Sequence, residues 1–78
     1  MKVFQRHVEC ELEKARRDHP PINSLHEGYA VILEELQEFW GCVMARQPDA
    51  AVTYGELIQV AAMAQRVAED VIDTDRKE

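Results

Sequence analysis

The chain has 78 residues, with 9 Lys and Arg against 15 Asp and Glu, a formal net charge of -6 and 46% hydrophobic residues. That is the composition of a folded soluble domain rather than a disordered tail, and the length allows a single domain, residues 1–78. The acidic balance argues against nucleic-acid binding, which needs a basic surface, and no apolar run approaches the roughly 20 residues of a membrane span.

Pro20, Pro21 and Pro48 divide the chain into three segments, each with a helical period. The first helix is expected over about residues 3–18. Phe4, Val8, Leu12 and Ala15 share one face, and Glu13 and Arg17 stand at a favourable i,i+4 spacing. His19 precedes a proline and so avoids the helical region, which ends the segment. The second helix is expected over about 24–46. It opens on a capping box, Ser24-Leu25-His26-Glu27. Its stripe is Leu25, Tyr29, Ile32, Leu36, Phe39 and Val43, widened to one side by Leu33 and Trp40. The third helix is expected over about 50–73, with Leu57, Val60, Ala61, Ala64, Val67, Ala68, Val71 and Ile72 on its apolar face. Two starts compete for it: Asp49 after Pro48, or a second capping box, Thr53-Tyr54-Gly55-Glu56. Period-2 runs and Asn-Gly or Asp-Gly turns are absent, so the fold class is all-α.

A chain this short supplies about 3–5 kcal/mol from its own core and usually needs a disulfide, a metal or a partner. Cys10 and Cys42 are too few for a disulfide scaffold. Reduced thiols and an N-terminus without an apolar signal segment give the expectation of a cytoplasmic protein. Oligomerisation remains as the way to complete the core.

The chemistry concentrates in Glu34-Glu35-Leu36-Gln37-Glu38. Glu35 and Glu38 lie about 60° apart around a helix, on the flank of the apolar stripe. Glu34 and Glu38 are like charges at i,i+4, a destabilising arrangement of roughly 0.2–0.5 kcal/mol, and no Lys or Arg stands three or four positions away. Carboxylates at this spacing suit a hard divalent cation such as Mg²⁺ or Mn²⁺; a solvated acidic face is the plainer alternative. Glu56 and Gln59 repeat the spacing on the third helix, and antiparallel packing of helices two and three would bring Glu35, Glu38, Glu56 and Gln59 together. Glu56 could instead close the box with Thr53. Arg66, two turns beyond Gln59, is a candidate for substrate phosphates, or else pairs with Asp70 at i,i+4. Isolated glycines exclude a phosphate-binding Gly-rich loop, and His7 with Cys10 makes too few ligands for a zinc site.

The segments NSLHEGYAVILEELQEFW and ELIQVAAMAQRVAED resemble the MazG-like members of the all-α nucleoside triphosphate pyrophosphohydrolases, most of all the small proteins of phages and mobile elements. The resemblance covers about residues 23–70. It implies Mg²⁺ held by an E-E-x-x-E and an E-x-x-D motif, cleavage of a nucleoside triphosphate to monophosphate and pyrophosphate as in nucleotide house-cleaning, and a homodimer or homotetramer around a four-helix core. Glu34, Glu35 and Glu38 match the first motif, with Glu35 and Glu38 as the principal catalytic pair, and Glu56 matches the first acid of the second. Gln59 stands where that motif has Asp, which replaces a charged ligand by a neutral amide oxygen. A non-catalytic helical dimer that has lost metal binding is the alternative this departure raises.

Overall fold

A computed structural model describes residues 2–73. It is all-helical: α1 runs Lys2–Asp18, α2 Leu25–Val43 and α3 Ala50–Val67, which continues as a π-helical segment, Ala68–Asp73. No described helix is long and apolar enough to cross a membrane.

Each helix starts and stops for a local reason. Ser24 Oγ accepts the Glu27 amide at 3.1 Å, and Glu27 reaches back to the Asn23 amide at 2.8 Å, so the expected box closes with its return bond one residue upstream of the cap. α2 stops three residues short of the expected Arg46. The Met44 amide still bonds Trp40 O, but the Ala45 amide turns to Cys42 O in a tighter turn, and the chain leaves the helix ahead of the pre-proline Gln47. Asp49 wins the contest for the start of α3. Its carboxylate accepts the Ala51 and Val52 amides at 2.9 and 3.2 Å, and its carbonyl takes the Thr53 hydroxyl at 2.9 Å. Thr53 therefore caps nothing, and Glu56 is free of the second box.

The expected face of α1 packs inward: Val8, Leu12 and Ala15 are buried. With Ala62 and Met63 of α3, Val8 and Ala15 form the centre of the core, edged by Phe4, Val31, Ile32, Ile58 and Ala61. The stripe of α2 behaves otherwise. The one buried residue of α2 is Gly28, not a hydrophobe. An ideal Cβ at Gly28 would stand 2.7 and 2.8 Å from the two γ-carbons of Val67 and 3.3 Å from its Cβ. α2 thus meets α3 along the Gly28 edge, and the expected stripe faces partly outward, with Tyr29 at 68% and Trp40 at 59% exposure. The two helices run antiparallel, since Gly28 meets Val67 while Glu38 meets Glu56.

The open end of the hairpin is tied to α1 by a polar latch. Arg16 donates to Asp70 and Glu69, each at 2.6 Å, while Asp70 also accepts the Ile22 amide at 2.9 Å. Burial would raise the Asp70 carboxyl, but the bonds from Arg16 and Ile22 outweigh it and hold it below its usual range. The expected helix through residue 73 is thus replaced from Ala68 onward by a wider π-helical turn, the stretch that carries both acids of the latch. At the other end, His7 Nδ1 lies 2.9 Å from the Tyr54 hydroxyl. Cys10 and Cys42 are both free thiols.

The Gly28–Val67 contact gives a test of the fold. Gly28→Ala inserts a methyl against a stiff β-branched side chain, an overpacking of about 1–3 kcal/mol that outweighs the roughly 1 kcal/mol of helix propensity gained. Thermal unfolding should show Gly28→Ala destabilised, Gly28→Ala/Val67→Ala recovered in part, and Gly41→Ala, where the added methyl meets nothing, unchanged or more stable.

Candidate metal centre

Starting from the Gly28–Val67 contact, Glu38 lies ten residues along α2 and Glu56 eleven residues back along α3. At 1.5 Å per residue both steps are about 15–17 Å, so antiparallel packing sets the two glutamates at one level. Glu35 stands one turn nearer Gly28 on the same face. One carboxylate oxygen from each of Glu35, Glu38 and Glu56 lies within 4.8 Å of the other two. Among the described residues this is the one group of three or more His, Cys, Asp or Glu side chains close enough to share an ion.

The triad concentrates negative charge with no protein cation paired to it among the described residues. No described Lys or Arg forms an ion pair with any member of the triad. Burial is the largest influence on Glu35, and the neighbouring charge and hydrogen bond of Glu38 add to it, followed by the charges of Glu56 and Glu34; together they push its pKa up to about 7. Glu56 is raised as well, first by burial and then by Glu38. Glu35 Oε1 and Glu56 Oε1 are buried atoms without a hydrogen-bond partner. Buried carboxylate oxygens normally find a donor, and these two do not. An all-oxygen, polyanionic donor set fits Mg²⁺ or Mn²⁺ better than zinc or copper.

Glu34 lies outside this group of three. Glu34, Gln59 and Arg66 have another place in common. They line a neighbouring cavity of about 490 Å³ between α1 and α2, with α3 as its floor. Glu35 lines this cavity too, and is the residue common to both. Arg66 is 6% exposed, and its guanidinium donates to Pro20 O at 2.7 Å, with Nε 3.9 Å from Asp70. The side chain considered for substrate phosphates thus clamps the α1–α2 loop onto α3. Sequence reasoning missed that α1 supplies one wall of the cavity, through Lys14 and its neighbours. Lys14 carries no motif, and a register across 45 or more positions leaves no local signal.

No family model, no curated protein and no solved structure matches the chain.

The raised Glu35 fixes the sign of a pH effect in the cation-free protein. The unfolded chain ionises this carboxyl near 4.5, while the folded chain keeps its proton until about 7. Between those values the folded state binds the extra proton, so the contribution of Glu35 to stability is full below 4.5 and is lost as the pH rises through 7. Measured in chelator, Tm should fall between pH 5 and pH 8, and Glu35→Gln should remove most of that fall. An equally steep fall in the variant would refute the assignment.

Proposed function

We propose that the chain is a divalent-cation-dependent nucleoside triphosphate pyrophosphohydrolase of the MazG-like type, converting an NTP or dNTP to the monophosphate and pyrophosphate. The observation that carries this reading is the convergence of Glu35, Glu38 and Glu56 from two helices, with one buried oxygen of Glu35 and one of Glu56 accepting no hydrogen bond. A fortuitous acidic surface would spread its charges into solvent; here like charges are held together at a cost in stability. The resemblance of the two segments to that family supports the same reading, and the cavity beside the triad offers room for a nucleotide-sized ligand.

The triad would hold Mg²⁺ or Mn²⁺, which supplies neutralisation of the phosphate oxygens and acidification of a bound water. Glu35 and Glu56, half-buried, would be the fixed ligands. Glu38 is the solvent-exposed member, and its carboxylate is the acceptor for the proton shed by the attacking water. The water oxygen forms the new bond to phosphorus as the α–β bridging bond breaks, and pyrophosphate leaves. Glu34, on the cavity wall, adds negative charge beside Glu35. Gln59 offers its amide oxygen from the same wall and makes the site one charge less acidic than the family pattern.

The same reading includes a homodimer or a dimer of dimers. Leu25, Tyr29, Leu36, Trp40 and Val43 of α2 are all more than 40% exposed, and Leu57 of α3 is 39% exposed. At 100° per residue these α2 side chains form one face, beside the Gly28 edge that meets α3. A second copy laid on that face would close a four-helix core and remove an apolar patch that a monomer leaves in water.

The enzymatic reading is tested by pyrophosphate release from canonical and damaged nucleotides with Mg²⁺ or Mn²⁺. Turnover is expected, and Glu38→Ala should lower kcat by about 100-fold or more. Absence of turnover on every nucleotide at high enzyme concentration would leave the second reading, a non-catalytic helical dimer, which Gln59 favours; Gln59→Asp would then be expected to gain activity. Sedimentation at micromolar concentration should give a dimer or larger, and Trp40→Glu should give monomer. A monomeric wild type would remove the four-helix core.

A further inference from the structure

We propose that Lys14 of α1 binds the phosphates of the nucleotide, across the cavity from the glutamate triad. This inference rests on the pyrophosphohydrolase reading and deepens it by assigning the cation that the sequence motifs do not supply. The cavity follows α3 from Gln59 to Arg66, seven residues and so about 10 Å. Its Gln59 end carries Glu34 and Glu35, beside the triad, and its far end is closed by His19, Pro20 and the clamped Arg66. Val31 and Met63 give it an apolar stretch between those ends.

A triphosphate holds several negative charges, and one divalent ion leaves part of that charge uncompensated. A cavity lined by carboxylates would repel the remainder unless a cation faces it. Three basic side chains line it: Lys14, His19 and Arg66. Arg66 is committed, with Nη2 on Pro20 O, Nη1 against Met63 Sδ at 3.7 Å, and Asp70 beside its Nε. His19 is fixed by its backbone to the end of α1, donating to Ala15 O at 2.9 Å, and precedes the rigid Pro20-Pro21 pair. Lys14 is different. It is exposed, on a helix with long-range anchors at both ends, Phe4 and His7 on Tyr54 and Arg16 on Asp70. Glu11 and Asp18 stand at i−3 and i+4 from it and line the same cavity, yet among the described residues Lys14 forms an ion pair with neither. A flexible ammonium with three donors, uncommitted and placed on a rigid wall, is the group suited to grip phosphate oxygens.

The test separates the cation from the nucleotide. Binding of Mn²⁺ alone, and of an α,β-imido deoxynucleoside triphosphate in saturating Mn²⁺, is measured for the wild type, Lys14→Ala, Lys14→Arg and, as a control at the far end of α1, Lys2→Ala. Lys14→Ala should weaken the analogue about tenfold or more while leaving Mn²⁺ binding unchanged; Lys14→Arg should retain most of the affinity, and Lys2→Ala all of it. Inorganic pyrophosphate with Mn²⁺ should show the same Lys14 dependence, which a contact to base or sugar would not give. Analogue binding that is equal in the wild type and Lys14→Ala overturns the inference and leaves the pyrophosphohydrolase reading standing. A wild type that binds neither Mn²⁺ nor the analogue overturns both.

Discussion

The fold depends on how closely α2 approaches α3 at Gly28. With only hydrogens on that Cα, the Val67 side chain comes within 2.7 Å of where a Cβ would stand, and the contact fixes the helices in separation, rotation and register at once. Rotation follows because the close edge of α2 is the Gly28 edge, which turns Glu35 inward and Tyr29 and Trp40 outward. Register follows because equal helical rises on either side of the contact carry Glu38 and Glu56 to one level. The acidic triad and the exposed apolar face are therefore two consequences of one contact.

The molecule separates stabilising polar chemistry from destabilising polar chemistry. At the loop end the acids of the latch have basic partners. Arg16 meets Asp70 and Glu69, and Arg66 stands beside Asp70; the Gln65 amide and then Arg16 hold Glu69 below its usual range, and Arg16 with the Ile22 amide overcomes burial to hold Asp70 below its own, so these contacts support the fold until acid protonates them. At the triad the sign is reversed. Like charges and burial raise Glu35 and Glu56, and the fold carries that arrangement without a compensating cation of its own.

What the sequence makes legible is local. The α1 face, the Ser24 cap and the breaks at Pro20, Pro21 and Pro48 involve residues a few positions apart, and the structure keeps them. The spacing of Glu35 and Glu38 is legible for the same reason. Glu56 hung on a contest between Asp49 and Thr53 that the sequence left open, and that Asp49 wins by accepting two amides. Periodicity misplaces the interior face of α2, because it weights large hydrophobes and gives no weight to a glycine that permits close approach. The partners of Arg16 lie 53 and 54 positions away, and the α1 wall of the cavity has no motif; both exist only once three helices are docked.

Two helices bring three glutamates together, and the proposed function has them hold a hard divalent cation. The most direct measurement is a crystal structure of the protein grown or soaked with Mn²⁺, read by its anomalous signal. The expected result is a peak bound by oxygens of Glu35, Glu38 and Glu56, at about 2.0–2.6 Å, the range of hard cations on oxygen ligands. A map in which Mn²⁺ is absent from the triad at saturating concentration, with the three carboxylates turned apart into solvent, would contradict it.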